Sequence, residues 1–301
     1  MGLSLMVSRP GITIEDKKRL KSIVLKRSWF LLFIGLLLYS WWHGDILHFY
    51  GGYMHIAAFL LFVPKRFYLI AAAAAIIIYH ILLFFIPVKT GWDLTSFNYT
   101  DFWTVNGFIR NTLYNGWNSL FPWIAYFLLG MWLGRLNWQN NTTIKRVFVT
   151  GAACFLAFEV LRYFAAGGMF NNTATAYIMS EYFPPYLPFM AITASFALMV
   201  ISVCIYVGYK FPTGALVTAL CNTGRMTLTH YVMHITVGMV VFALLFNRFY
   251  TGYLPGGAPV PPLQILGFAI AFFVFSVGLS SIWLRYFKNG PLETLMRKIS
   301  G

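Results

Sequence analysis

Charged residues are scarce in this chain: 8 Asp and Glu and 22 Lys and Arg make up 10% of its 301 residues. A soluble domain carries about 25% charged residues, so this composition leaves no room for one. The three cysteines lie in apolar runs without a Cys-x-x-Cys pair, which argues against a disulfide framework. The sequence also lacks GxSxG, P-loop, HExxH and GxGxxG motifs, and we predict no metal site.

Long apolar runs fill most of the chain, which is 59% hydrophobic with a mean hydropathy of +0.69. Because roughly 20 apolar residues cross a bilayer as a helix, we predict an all-α, polytopic membrane bundle with about eight transmembrane helices. The predicted spans cover about residues 29–42, 46–63, 67–86, 120–136, 144–164, 187–209, 226–246 and 263–286, with a half-helix at about 213–221. The corresponding parts are a basic cytoplasmic segment (1–27), a transmembrane domain (28–287) and an amphipathic cytoplasmic tail (288–301).

The net charge of +14 could indicate a nucleic-acid partner, but the distribution of the basic residues argues against one. If the N-terminus lies in the cytoplasm, eight spans place 18 of the 22 Lys and Arg residues on the cytoplasmic side. This asymmetry is the one expected for loops that remain inside. We therefore predict a cell inner-membrane protein with both termini in the cytoplasm, in contact with the lipid bilayer and not with nucleic acid.

Two predicted outer loops, 87–118 and 165–186, are long enough to be functional if they lack secondary structure of their own. Trp117 and Asn118 lie where the first of these loops enters the fourth span. One interpretation is structural, with Asn118 capping the helix. The other is a platform for a glycan, since Trp and Asn side chains stack on sugars and hydrogen-bond to them.

Polar side chains are concentrated at the start of the seventh span. Arg225 and Thr229 are four residues apart, and His230 and His234 share a helical face. Arg225 could hold an anionic phosphate, Thr229 could contact the substrate, and either histidine could transfer a proton. The alternative is that Arg225 is a topology anchor at the interface and the histidines bond neighbouring carbonyls.

A second polar cluster follows the first span, where Asp45 and three histidines (His43, His48 and His55) are predicted to gather at the outer end of a tight hairpin. A His–Asp pair such as His48 and Asp45 could act as a general base with its orienting carboxylate. The alternative is that Asp45 caps the second span, which its position directly before Ile46 fits well.

Three motifs resemble the YeiB-like family of bacterial membrane proteins (domain of unknown function 418). They are Arg27-Ser28-Trp29 with Asp45-Ile46-Leu47-His48, then Gly224-Arg225-Met226-Thr227-Leu228-Thr229-His230-Tyr231, and finally Gly290-Pro291-Leu292-Glu293. The stretch Leu120-Phe121-Pro122-Trp123 is similar to a span of the related transmembrane acyltransferases of the heparan N-acetyltransferase type. The chain departs from the YeiB-like pattern at His230, where the family has Asn, and at His234, where Gln is common.

The resemblance implies a membrane-bound acyltransferase that moves an acyl group from cytoplasmic acetyl-CoA, or another acyl-CoA, to a glycan or cell-envelope acceptor. Arg225, Arg27 and Arg135 would contact the CoA phosphates, and His230, His234 or the Asp45–His48 pair would assist proton transfer. Relatives have further spans before the matched region, so a shortened member with reduced or no activity is one interpretation. A transporter, a lipid-binding protein and a non-catalytic subunit are the other function classes, and a homo-oligomer stays open.

Overall fold

The computed structural model describes residues 1–7, 11–247, 250–251, 254–255 and 260–301. Arg9 and Arg248, which are two of the basic residues counted in the predicted charge asymmetry, lie outside the described residues. The helices are α1 (Gly2–Val7), α2 (Ile14–Trp41), α3 (Leu47–Leu60), α4 (Lys65–Phe85), α5 (Val105–Arg110), α6 (Leu120–Leu133), α7 (Asn141–Ala166), α8 (Asn172–Ile178), α9 (Leu187–Lys210), α10 (Ala215–Arg225), α11 (Thr227–Met233), α12 (Met239–Phe246), α13 (Pro262–Tyr286) and α14 (Pro291–Ser300).

Short π-helices and strands interrupt this helical chain. The π-helices are Asn111–Asn115 and His234–Gly238. The strands β1 (Trp92–Asp93) and β2 (Asn98–Tyr99) form one antiparallel pair, and β3 (Tyr250–Thr251) and β4 (Leu254–Pro255) form another. Trp92 lies opposite Tyr99 in the first pair. The loop 87–118 therefore has secondary structure of its own, and α8 lies within the loop 165–186. The condition under which loop length alone would indicate function is not met in either loop.

The all-α polytopic architecture is confirmed. Among the described residues, six helical segments are long and apolar enough to cross a membrane: α2, α4, α7, α9, Thr227–Phe246 and α13. The predicted second and fourth spans are the helices α3 and α6, each of 14 residues. The predicted three-part division by membrane position stays a prediction, because helix length and composition do not fix a position in a bilayer.

The chain forms two compact units. The first unit comprises residues 1–12, 60–90 and 109–212. Within it, α4 packs on α6, α7 packs on α9, and α1 lies beside α6. Buried apolar residues at the end of α6, in the segment after it and in α7 form one of its hydrophobic clusters, which includes Leu133, Trp138 and Ile144.

The second unit comprises residues 13–59, 91–108 and 213–301, and it contains most of the candidate site residues. Here α10 packs on α13, and α14 packs on α2 and α11. Helices α2 and α3 form a hairpin in which their backbones approach each other closely, because a glycine lies at each of the two points of contact. A β-carbon at Gly35 would overlap the backbone of His48, and one at Gly51 would lie 2.7–2.9 Å from backbone atoms of α2.

Helix α2 begins well before the predicted first span. Thr13 and Asp16 form a capping box, in which each side chain accepts the backbone N–H of the other residue. The 28 residues that follow make a helix of about 42 Å. The basic residues from Lys17 to Arg27 therefore lie in the first turns of the same helix that contains the predicted first span.

The seventh span is broken at its start. Helix α10 runs through Arg225, Met226 has non-helical torsions (φ −113°, ψ 23°), and α11 begins at Thr227. The predicted half-helix therefore exists but extends to Arg225. The expectation that Arg225 and Thr229 lie one turn apart on a single helix is wrong, because the chain changes direction between them.

Candidate functional site

A buried hydrogen-bond network joins Asp45, His48 and Tyr231 in the second unit. Asp45 Oδ2 lies 3.2 Å from His48 Nδ1 and accepts the backbone N–H of His48 at 3.2 Å. Asp45 Oδ1 accepts the Tyr231 hydroxyl at 2.9 Å, and that hydroxyl accepts the backbone N–H of Ile46 at 2.9 Å. Because a carboxylate only accepts hydrogen bonds, Nδ1 of His48 carries the proton of this contact. The carboxylate thus caps the start of α3 and orients the imidazole at the same time.

The other nitrogen of His48 has no partner. Asp45 and His48 are both 0% exposed, and His48 Nε2 is buried without a hydrogen bond to any described residue. Buried polar groups are nearly always paired, so an exception of this kind calls for an explanation. With the proton on Nδ1, Nε2 presents a lone pair, which is the arrangement of a general base.

Aromatic side chains cover this imidazole. The rings of Tyr39, Phe49 and Phe102 lie 5.3, 3.8 and 5.8 Å from the His48 ring, centroid to centroid. Phe102, from the segment between β2 and α5, stacks on Tyr39 at 3.8 Å and is 1% exposed. Because His48 is fully buried, a substrate can reach Nε2 only if a neighbouring side chain moves.

The other two histidines of the predicted cluster do not join Asp45, so that part of the expectation is wrong. His43 Nδ1 lies 3.1 Å from Asn98 Oδ1 in β2. His55 Nδ1 lies 3.2 Å from the Ser28 hydroxyl in α2. Among the described residues, no group of three or more His, Cys, Asp or Glu side chains could hold a metal ion.

Thr229, predicted to contact substrate, instead joins α11 to α14. Its hydroxyl donates to Glu293 Oε2 at 2.6 Å, its backbone N–H donates to Glu293 Oε1 at 3.0 Å, and its hydroxyl accepts the backbone N–H of Leu292 at 3.2 Å. Each helix therefore supplies the side chain that satisfies a first-turn N–H of the other, a contact we call the reciprocal cap. A β-carbon at Gly290 would overlap Glu293, so the glycine is needed for this approach.

The arginines predicted to contact CoA phosphates lie in three places. Arg225 is exposed, and its Nη2 donates to the carbonyl of Lys288 at 2.6 Å. Arg27 is half-buried, donates to the Ser300 hydroxyl at 3.3 Å, and lies near enough to Arg297 to interact with it electrostatically. Arg135 belongs to the first unit, where its guanidinium donates to the carbonyl of Leu61 at 2.5 Å.

His230 and His234 line a cavity of about 480 Å³ between the broken seventh span and α13. His230 Nε2 lies 2.6 Å from the Ser280 hydroxyl, and its Nδ1 is buried without a partner among the described residues. His234 begins the π-helix His234–Gly238, and its ring contacts that of Tyr231 at 5.2 Å. The sequence was right that the two histidines share a face, but that face is turned to α13 while Tyr231 reaches Asp45.

Trp117 and Asn118 lie in the first unit, where they contact the segment that follows α8. Asn118 Oδ1 accepts the Tyr182 hydroxyl at 2.9 Å, and the Trp117 ring packs on Phe183 at 5.2 Å. Asn118 is 8% exposed. These contacts agree with the structural interpretation of the segment, and the glycan platform stays a prediction.

Tyr231 and Glu293 are the important residues that sequence reasoning left without a role. Both belong to motifs that the sequence analysis singled out. Their partners lie 186 and 64 positions away along the chain, so no local spacing could have revealed them.

Comparison with known proteins gives the family. The family model described as a protein of unknown function (DUF418) matches residues 131–301, which is more than half of the chain. The chain belongs to the DUF418 family. A second model, described as the catalytic region of heparan-alpha-glucosaminide N-acetyltransferase, matches residues 2–165 of this DUF418 protein. The resemblance inferred from the motifs is thereby confirmed.

A curated relative is the uncharacterized protein YeiB of Escherichia coli (strain K12). It is 33% identical over 90 residues, a match that covers 28% of this chain and 20% of YeiB. No solved structure gives a significant match. At the level of the family, the DUF418 protein is a multi-pass membrane protein related to acyltransferases of the heparan N-acetyltransferase type.

The two matched regions meet in the buried network. Asp45 and His48 lie in the region that resembles the N-acetyltransferase, while Tyr231 lies in the DUF418 region. The reciprocal cap, in contrast, lies wholly in the DUF418 region.

Proposed function

We propose that this protein is a membrane-bound acyltransferase that uses acetyl-CoA or another acyl-CoA as donor and His48 as its general base. The observation that carries the proposal is the unpartnered Nε2 of a fully buried histidine whose Nδ1 is held by a carboxylate. The relation to a heparan-alpha-glucosaminide N-acetyltransferase supports acyl transfer to an amino sugar of a glycan or another envelope acceptor.

In the proposed reaction, His48 Nε2 takes the proton from the acceptor hydroxyl or amine as that group attacks the thioester carbonyl. The carbon–sulfur bond then breaks, and the proton passes from Nε2 to the departing CoA thiolate. Asp45 is a positioning residue, because it fixes the tautomer and stabilises the imidazolium. Tyr231 holds the second carboxylate oxygen. The rings of Tyr39 and Phe102 exclude water until the acceptor enters.

Arg27 is our first candidate for a contact with the CoA phosphates, because it is half-buried in α2 and interacts electrostatically with a second guanidinium, that of Arg297. Two cations in proximity favour an anion between them. Arg225 lies at the junction of α10 and α11, where its Nη2 already holds a carbonyl. We retain Arg225 as a phosphate contact. Arg135 belongs to the first unit, and its predicted contact with a CoA phosphate is a separate proposal. His230 and His234 remain candidates for proton transfer, as does Thr229 for substrate binding.

The location proposed for these steps is the cell inner membrane, with both termini in the cytoplasm. The support is the asymmetric distribution of Lys and Arg, which would place Arg27 and Arg225 on the side where acyl-CoA is made. A glycan acceptor would approach from the opposite side, to which the loop carrying Phe102 is assigned.

The test is thiol release from acetyl-CoA by the purified full chain in proteoliposomes, with an α-glucosaminide as acceptor. We expect His48→Gln to lower kcat by about 10²–10⁴-fold. Asp45→Asn should also lower kcat while the KM for acetyl-CoA stays unchanged, because Asn still caps α3 but cannot stabilise an imidazolium. His55→Gln is the matched control and should retain activity, since His55 contacts Ser28 instead.

Arg27→Gln should raise the KM for acetyl-CoA more than it lowers kcat, because a guanidinium that holds the phosphates acts on binding. Arg66→Gln, an exposed arginine at the start of α4, is its control. Wild-type kcat in a folded His48→Gln variant would contradict the role of the histidine. Absence of any thiol release by the wild type would contradict acyl transfer between these substrates.

A further inference from the structure

The cavity between the seventh span and α13 is lined by none of Asp45, His48 and Tyr231, the members of the buried network. Its volume of about 480 Å³ falls within the range of small-molecule sites, about 300–1,000 Å³. No residue that lines it carries a formal charge. The site therefore fits a neutral ligand and not a phosphate or a nucleotide.

The cavity is polar at one end and apolar at the other. Thr223, His230 and Ser276 line the first end, while Phe242 and Phe268 line the second. The Phe242 and Phe268 rings meet at 5.2 Å. His230 and Phe242 are 12 residues apart, so the cavity extends about 18 Å along the helix. A long ligand with one hydrogen-bonding end matches this gradient.

Two buried polar atoms at the polar end have no partner among the described residues: His230 Nδ1 and Ser276 Oγ. His230 is 8% exposed and Ser276 is 3% exposed. In lipid, no water is present to satisfy such atoms. A ligand head with a hydroxyl or carbonyl oxygen would satisfy both, because a hydroxyl can donate to one atom and accept from the other.

The middle of the cavity is built on irregular backbone. The π-helix His234–Gly238 contributes His234 and Gly238 to its wall. Within this π-helix the carbonyl of Ile235 accepts the indole N–H of Trp41 at 3.2 Å, so α2 holds the irregular turn in place. Single-turn π segments occur frequently at functional sites.

We propose that this cavity binds a single-chain acyl lipid with a small neutral head, such as a monoacylglycerol or a protonated fatty acid. The head lies at His230 and Ser276, and the chain lies along Gly238 toward Phe242 and Phe268. A phospholipid with two chains does not fit one narrow cavity with a single polar end. The role of His48 does not depend on this site.

The test uses the full chain in phosphatidylcholine nanodiscs with a diazirine analogue of palmitic acid. We expect saturable crosslinks to residues 238–242 and 268–273, displaced by unlabelled ligand. Monopalmitoylglycerol and palmitate are tested as separate competitors. The one that displaces the probe at the lower concentration shows whether the bound acyl chain belongs to a monoacylglycerol or to a fatty acid. Lysophosphatidylcholine, with its large zwitterionic head, should compete at least tenfold more weakly than either.

Two pairs of variants locate the site. Ala269→Phe fills the cavity and should reduce specific labelling at least tenfold, whereas Ala271→Phe, on the same helix outside the cavity lining, should not. Ser276→Ala should weaken competition about two- to tenfold through the loss of one hydrogen bond. Ser281→Ala is its control, because the Ser281 hydroxyl bonds Val277 of its own helix.

Labelling that no competitor displaces, or that spreads evenly over the lipid-facing helices, would overturn the proposal and identify ordinary bilayer lipid. Equal competition by the unlabelled ligand in the Ser276→Ala and Ser281→Ala proteins would contradict the assigned head position. Thiol release from acetyl-CoA is measured separately, so a failure here is distinguishable from a failure of the acyltransferase proposal.

Discussion

The reciprocal cap predicts a specific loss of stability when the Thr229 hydroxyl is removed. Thr229→Val preserves the shape of the side chain but removes a hydrogen bond to the carboxylate of Glu293, which is 8% exposed. A hydrogen bond to a charged group contributes about 1.5–3 kcal/mol, and leaving the Leu292 N–H unpaired costs about 1 kcal/mol more. We expect Thr229→Val to lower the free energy of unfolding by about 2–4 kcal/mol.

The assay is equilibrium unfolding of the full chain in mixed micelles with a denaturing detergent, combined with amide hydrogen exchange of residues 291–300. Exchange in α14 should accelerate in the Thr229→Val protein, because the first turn of that helix loses its partner. Thr236→Val is the matched control. Among the described residues, the Thr236 hydroxyl bonds only the carbonyl of Val232, one turn earlier in the same span, so its loss should cost less than about 1 kcal/mol and leave α14 protected.

A double-mutant cycle with Glu293→Gln decides whether the two side chains act as a pair. The coupling energy between Thr229→Val and Glu293→Gln should exceed about 1 kcal/mol, since residues in one hydrogen-bond network do not behave additively. Additive effects, within about 0.5 kcal/mol, would refute the reasoning that α11 and α14 cap each other.

Two further predictions concern the hairpin of α2 and α3 and the turn between strands β1 and β2. Gly35→Ala should cost about 3 kcal/mol of unfolding free energy, because the added methyl overlaps the backbone of His48. Gly208→Ala, which meets nothing within 4 Å, should be neutral or stabilising in the same detergent unfolding assay, and equal effects would contradict this packing. Hydrogen bonds from Ser96 and then Thr95 lower the pKa of Asp93 to about 2, so the stabilisation of this turn by the carboxylate is complete above pH 3.8 and is lost as the pH falls through 2. Amide exchange at Thr95 should therefore be slower in wild type than in Asp93→Ala at about pH 5, and this difference should shrink as the pH falls through about 2. A difference that is as large at about pH 1 as at about pH 5 would rule out the carboxylate as its cause.

The sequence was most informative where the relevant partners are close along the chain. Asp45 and His48 are three residues apart, and their pairing follows from helical spacing and capping preference. His230 and His234 share a face for the same reason. The positions of the apolar spans followed from hydropathy, because a membrane protein must bury its backbone in helices.

Residues with distant partners were not predictable in this way. Thr229 was predicted to contact substrate because it belongs to the polar start of the seventh span, and nothing local identifies Glu293 as its partner. The break at Met226 coincides with no proline, so the sequence does not mark it. His55 was grouped with Asp45 and His48 because it lies seven residues after His48, although its side chain is turned to Ser28.

The π-helix at His234–Gly238 makes the length of this segment as important as its composition. The π-helix contains one residue more than the same stretch of a regular α-helix. This extra residue rotates everything that follows by about 100° around the helix axis. Because of this rotation, Tyr231, which precedes the π-helix, reaches Asp45, while Phe242, which follows the π-helix, meets α13. Deleting a single residue from this segment would keep nearly every side chain of the chain yet rotate Phe242 away from Phe268. Two proteins of near-identical sequence could therefore differ in ligand through one gap in their alignment.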